Sequence, residues 1–240
     1  MLEWFIIPLI MFIGALLQGI TGFGSGLIVV PLLSLLLPLT LLTPALSLVN
    51  VALTAYLCWR LRAHLRHFQY GALLIAGCLA SIIGAISLHY FDPKLLQLLL
   101  AIGVTATGIV FWFGVKFPLS AHWTAQFLVG LLAGFSNGAL TLGGPPVVLY
   151  FSQLNLPKFH FRGALSVFFL ALALTNVATF ASQGEYQATT LLLSFKLLLG
   201  AILGATVGHS VSQILSEEIF RKLTLLTVIF AGLVALTGVF

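Results

Sequence analysis

Charge is what this chain lacks most: 6% of its 240 residues are Asp, Glu, Lys or Arg, where a soluble domain carries roughly a quarter. A surface so poor in charge does not keep a globule in water. Apolar runs of about 20 residues, each long enough for a hydrocarbon core of ~30 Å, fill nearly the whole length, so a polytopic membrane protein is expected and no room remains for a soluble catalytic domain. Cysteine is scarce as well. Cys58 and Cys78 stand in different apolar runs without Cys-x-x-Cys spacing, which argues against redox or metal work. There is no His-Glu-x-x-His, no Gly-x-Gly-Asp and no Gly-Lys-Ser/Thr, and Phe23 stands where an intramembrane Gly-x-Ser-Gly protease needs glycine. An enzyme would lack its parts, and neither metal nor cofactor is expected. The ten basic residues exceed the five acidic ones, but they are scattered through short loops, a pattern of membrane topology and not of nucleic-acid binding.

What is there is hydrophobic residue, 60% of the chain, and 23 glycines. Eight apolar blocks can be bounded, at 4–37, 44–60, 70–90, 95–115, 123–151, 162–182, 190–210 and 220–239. The first has neither the basic start nor the cleavage site of a signal peptide and is expected to stay in the mature chain. As one helix it would measure about 50 Å at 1.5 Å per residue, too long for a single upright crossing. The halves resemble each other. Gly19 and Pro31 match Gly134 and Pro146 at a shift of 115, Pro38 and Ala45-Leu46-Ser47 match Pro157 and Ala164-Leu165-Ser166 at 119, and Ala76, Ala80 and Gly84 match Gly200, Gly204 and Gly208 at 124. We expect an all-α polytopic membrane protein of two repeats, 1–118 and 119–240, forming one transmembrane domain. The last ladder, small residues every four positions, reads as close helix packing.

Loop charge then tests the topology. If all eight blocks cross, the two sides receive 4 and 5 loop cations, and the positive-inside rule is silent. If the glycine-interrupted blocks 4–37 and 123–151 are re-entrant or kinked hairpins that enter and leave on one side, the count becomes 8 against 1: Arg60, Arg62, Arg66, Lys116, Lys158, Arg162, Arg221 and Lys222 against Lys94. Each repeat then holds a broken hairpin and three crossings, so the second is inverted. Both termini, Asp92 and Glu185 are expected outside, and the basic loops in the cytoplasm.

The interruptions are the sequence's main functional signal. Gln18-Gly-Ile-Thr-Gly-Phe-Gly-Ser-Gly26 and Ala133-Gly-Phe-Ser-Asn-Gly-Ala-Leu-Thr-Leu-Gly-Gly-Pro-Pro146 sit at corresponding places in the two halves. Backbone freed from its ladder at membrane depth is tolerated where protein or a watery cavity satisfies it, and paired breaks of this kind point to a transporter's substrate site. Gly22, Gly24 and Gly26 let a ligand reach backbone, and half-helix N-termini favour anions. Gln18, Thr21 and Ser25 in the first stretch, and Ser136, Asn137 and Thr141 in the second, could satisfy sulfonate, sulfite or carboxylate oxygens. Gly138, Gly143 and Gly144 complete the second stretch. Close packing is the competing reading for GxxxG pairs such as Gly22/Gly26 and Gly134/Gly138, but packing alone does not require Gly143-Gly-Pro-Pro146.

In order and spacing, Gly22-Phe-Gly-Ser-Gly26 with Pro31, Pro44-Ala-Leu-Ser47, Gly134-Phe-Ser-Asn-Gly138, Gly143-Gly-Pro-Pro-Val-Val-Leu-Tyr150 and Arg162-Gly-Ala-Leu165 resemble the sulfite exporter TauE/SafE family of membrane permeases over essentially the whole chain. The resemblance implies a plasma-membrane protein of about eight helices in two related halves that moves sulfite, organosulfonates or other small organic anions. Ser25, Asn137 and Leu142 depart from a glycine-richer family pattern.

Two cations are further candidates. Lys196 lies in an apolar run, where it could face an anion in transit or snorkel to an interface. Arg162 could draw an anion to the cytoplasmic mouth or serve as a topological anchor. Asn50 and Asn176 are expected to be interhelical hydrogen-bonding groups more than ligands. The histidines are expected in loops (His64, His67, His122, His160) or near span ends (His89, His209), without a buried relay. No carboxylate lies in a span, so proton coupling lacks its usual group. Outward movement of an anion gains ~2.3 kcal/mol per charge per 100 mV, inside negative, and could proceed uncoupled. An anion channel, or an importer coupled to sodium or protons, stays open as an alternative, as does assembly as a homo-oligomer. A scaffold would not need paired glycine breaks.

Overall fold

The computed structural model describes residues 2–65, 69–92, 95, 98, 102, 122–154, 156–224, 226 and 227. The repeat boundary at 118/119, nearly all of the 95–115 block, most of the 220–239 block and Arg66, His67, Lys94 and Lys116 lie outside those residues. Every element among the described residues is helical: α1 (Leu2–Thr21), α2 (Ser25–Leu33), α3 (Leu39–Arg60), a 3-10 turn (Arg62–His64), α4 (Gly71–Ser87), α5 (Trp123–Leu140), α6 (Gly144–Gln153), α7 (Lys158–Ser182) and α8 (Ala188–Ile214). A further helical stretch occupies 217–224. α3, α7 and α8 are long and apolar enough to cross a membrane, and Phe5–Thr21 and Gly71–Ser87 are shorter apolar helices.

The first block breaks where the sequence places its glycines. Gly22 and Gly24 take φ of 90° and 102°, a region closed to most side chains, and the chain doubles back, so that a Cβ on Gly14 would meet Ser25 and Val29 of α2. The second break repeats the manoeuvre: a Cβ on Gly143 would strike the Ala133 carbonyl of α5. Pro145 and Pro146 then open α6, where their missing N–H groups cost nothing. The two arms of each hairpin are unequal. α1 and α5, of 20 and 18 residues, are each about as long as a hydrocarbon core, whereas α2 and α6, of 9 and 10, are about half that at 1.5 Å per residue.

Packing interlocks the halves. α1 lies along α8 with Pro8, Phe12 and Leu16 beside Gly200, Gly204 and Gly208 in the same order, so the two helices run parallel and their backbones touch. α5 lies along α4 in the same way, Gly134 and Gly138 resting on the carbonyls of Gly77 and Ser81. Each hairpin therefore packs on a helix of the other half, while α3 and α7 pack together at the centre. The ladder glycines are packing residues, as their spacing suggested. The outer faces of α1, α4, α5 and α8 are studded with exposed Phe5, Leu9, Ile75, Leu79, Leu128, Leu132, Leu199 and Leu203. So continuous an apolar exterior belongs against lipid. α3 and α7 expose one large apolar side chain each, Trp59 and Leu174.

The two ends of the bundle differ in charge. At one end the Lys158 ammonium at the start of α7 donates to the carbonyls of Ser212 and Leu215 at the end of α8, and His64 after α3 meets His160 of α7. Arg60, Arg62, Lys158, Arg162, Arg221 and Lys222 belong to the segments gathered there. At the opposite end His89, after α4, lies 3.4 Å from Glu185, between α7 and α8.

Candidate functional site

The tips of the two hairpins meet. A Cβ on Gly26 would run into the carbonyl of Thr141, and one on Gly144 would come within 2.9 Å of the Phe23 ring. Between the tips and the middles of α3 and α7 lies a cavity of about 30 Å³. One water takes roughly 10–15 Å³ of such space, so the space suits a guest of a few heavy atoms.

Its wall is polar without being charged. Gln18, Ser25, Ser47, Asn50, Thr54, Asn137, Thr141 and Asn176 contribute, with Phe23, Phe169 and Ala173 as apolar members and Gly24, Gly26 and Gly144 as bare backbone. Gln18 Oε1 accepts from the Ser25 amide at 3.3 Å, and Ser25 Oγ donates to Asn50 Oδ1 at 3.4 Å. Opposite, Asn176 Nδ2 donates to Asn137 Oδ1 at 3.1 Å while Ser81 Oγ donates to Asn176 Oδ1 at 2.6 Å. Thr141 is held at φ 57°, and its buried hydroxyl has no partner. A β-branched residue in that conformation is strained. Neither α2 nor α6 has a side-chain cap, so the cavity lies at two uncapped helix N-termini, the ends of a helix that attract negative charge. Pro145 and Pro146 remove two N–H groups from α6, while in α2 the Ser25 amide is taken by Gln18 and the Leu27 amide by the Gly24 carbonyl, which leaves that of Gly26.

Of the residues the sequence singled out, Gln18, Gly24, Ser25, Gly26, Asn137, Thr141 and Gly144 line this cavity. Thr21 turns to its own chain, its hydroxyl donating to the Leu17 and Phe23 carbonyls. Ser136 donates to Leu132 on the outside of α5, Gly138 packs on α4, and Gly143 packs on α5. Lys196 is half-buried on α8 and does not line the cavity. Arg162 differs from expectation: it is no loop residue but lies inside α7, 0% exposed, with its side chain beside Gly22. Its Nη2 donates to the Gly19 carbonyl at 2.6 Å and lies 3.2 Å from Nδ1 of His209, which is near the end of α8 as expected but buried.

Asn50 and Asn176 do make the interhelical bonds expected of them, yet they also face the cavity, together with Ser47 and Thr54. The signal was available in their spacing. Ser47, Asn50 and Thr54 recur at intervals of three and four in an apolar helix, which puts all three on one face.

A helical bundle with a lipid-suited exterior, two broken helices and a small polar chamber at their tips has the architecture of a membrane transporter. The chain belongs to the sulfite exporter TauE/SafE family, whose match extends over residues 6–235. It is similar to the probable sulfite/organosulfonate exporter TauE of Cupriavidus necator, 29% identical over 190 residues that make up 73% of this chain and 71% of that one. It is also similar to the probable membrane transporter protein YdhB of Bacillus subtilis, 25% identical over 251 residues, 96% of this chain and 99% of that one. The family is one of exporters, not enzymes. No solved structure matches.

Proposed function

We propose that this protein exports small oxyanions, sulfite or organosulfonates, across the plasma membrane, and that the substrate is held between the two hairpin tips. The observation that carries this is the convergence of two uncapped half-helix N-termini on one uncharged polar cavity. An oxyanion there would accept from the amides of Gly26 and Gly144 and from the Thr141 and Ser25 hydroxyls. Arg162, one layer behind the first tip, adds positive potential without entering the chamber. The relative named for sulfite and organosulfonate export lends the substrate class. In this reading the end bearing Arg60, Arg62, Lys158 and Arg162 faces the cytoplasm, the end bearing Glu185 faces outward, and the chain is two inverted units of about 120 residues.

The test is reconstitution of the purified protein in liposomes loaded with radiolabelled methanesulfonate. Saturable efflux is expected from the native protein. Gly144→Leu, whose side chain would displace the Phe23 ring and fill the chamber, is expected to lower the rate at least tenfold while still inserting in the membrane. Efflux at the native rate by that variant would move the substrate site elsewhere.

A further inference from the structure

A second and larger cavity, about 250 Å³, opens at the basic end of the bundle, where the turn after α3, the start of α4 and the start of α7 come together. Among the described residues it shares no lining residue with the chamber at the hairpin tips. His64 and His160 stand on its wall with Gln69 and Tyr70. Their rings meet edge to face with centroids 5.5 Å apart, and Phe159 stacks on His64 at 5.1 Å. The Nδ1 atoms of both imidazoles are buried, and neither has a hydrogen-bond partner. A buried polar atom left unpaired is costly. Both atoms are closed to water and so lie behind the cavity wall, and a guest of the cavity meets each ring at Nε2, which is not closed off.

Charge decides what that is. The Lys158 ammonium lies 4.7 Å and the Arg162 guanidinium 5.9 Å from the Phe159 ring that backs His64, and Arg62 opens the same 3-10 turn. His160 is in the first turn of α7, a 25-residue helix whose positive end faces this side. Among the described residues no carboxylate lines the cavity, and Glu217 is occupied with the Lys158 amide at 3.1 Å. A divalent cation would be repelled by these charges. With the proton on Nε2 each imidazole becomes an N–H donor toward the cavity, and two such donors suit the oxygens of an anion.

We propose that this cavity is an entry site that binds a small oxyanion of the sulfonate or sulfite class at the basic end, before it passes to the chamber between the hairpins. The inference rests on the transport reading above and assigns it a second, separate binding station. The cavity's greater volume fits an anion that still carries part of its hydration shell, whereas the inner chamber takes it nearly bare.

The experiment uses full-length protein in lipid nanodiscs with ¹⁵N-labelled histidine, titrated with methanesulfonate, which stays ionised and does not react. The His64 and His160 imidazole signals are expected to shift saturably, and the His89 and His122 signals to stay put. His64→Ala and His160→Ala are each expected to weaken binding roughly tenfold, the worth of one hydrogen bond to a charged group. In liposomes the double variant should raise the half-saturating concentration from the basic face more than it lowers the maximal rate. Gly144→Leu should lose transport and keep the imidazole shifts. Transport by the native protein without any saturable shift would overturn the entry site and leave the transport reading standing. Saturable shifts without transport would overturn the transport reading and leave an anion site. Shifts produced by zinc but not by methanesulfonate would overturn both the site's ligand and the charge argument behind it.

Discussion

Arg162 carries a full charge into the protein interior with no carboxylate beside it among the described residues. Its Nη2 holds the Gly19 carbonyl near the end of α1, while Nε and Nη1 have no partner. Burying such a cation costs several kcal/mol. Part of that is returned by the carbonyl end of α1, whose dipole favours a positive neighbour. The guanidinium thus fixes the back of the first hairpin to α7 and, through His209, to α8. Arg162→Lys keeps the charge but has one nitrogen where the fork has several. It is expected to keep the protein in the membrane and to lower efflux about tenfold, and Arg162→Gln is expected to lower it further. Native rates and native melting temperatures in both variants would show the arginine to be dispensable. The sequence placed this residue in a loop because it follows Pro157 closely and opens an apolar run. Burial of a charge depends on what packs over it, and here that is Gly22 from 140 positions earlier. Lys196 shows the converse. Its apolar neighbours in sequence left two readings, the permeation path or an interface, and in the fold it is half-buried on α8 and not on the chamber wall.

The broken hairpins were legible as elements because glycine and proline act locally: a positive φ at Gly22 and Gly24, and two prolines opening α6, follow from those residues wherever the chain goes. Which helices they pack on was not legible. The crossed pairing of α1 with α8 and α5 with α4 depends on matching two ladders that each read only as small residues. The connection between α7 and α8 is another element whose role comes from contact. Its Tyr186 hydroxyl lies 2.8 Å from Ser47 Oγ on the chamber wall, and its Glu185 lies 3.4 Å from His89. This loop therefore stands over Ser47 on the side of the chamber opposite the basic residues. With Cys58 and Cys78 replaced by serine and a cysteine placed at Asn50 on the chamber wall, which leaves the Ser47–Tyr186 contact intact, an impermeant thiol reagent should label slowly in the native loop. Tyr186→Ala should speed labelling from the Glu185 side at least fivefold, as expected for loss of an interaction of about 1 kcal/mol. Equal rates would mean that Tyr186 does not close the path.

For the whole molecule the decisive feature is the distribution of charge. Among the described residues the chamber has no ionised side chain on its wall, and the acidic residues Glu3, Asp92, Glu185, Glu217 and Glu218 lie in loops or near helix ends. A carrier built this way moves the substrate's own charge across the low-dielectric region and has no carboxylate with which to compensate it by taking up a proton. One negative charge leaving an inside-negative cell gains ~2.3 kcal/mol per 100 mV, a factor of about fifty in the equilibrium ratio across the membrane. In liposomes loaded with methanesulfonate, a potassium diffusion potential negative inside should accelerate efflux, and reversing its sign should slow it. Collapsing a pH gradient at fixed potential should leave the rate unchanged. Methanesulfonate is the proper probe because sulfite changes its own protonation near neutral pH and would imitate proton coupling. Efflux that ignored the potential and followed a sodium or proton gradient instead would refute uncoupled export, and would direct attention to the carbonyls at the hairpin tips as the place where a coupling cation is held.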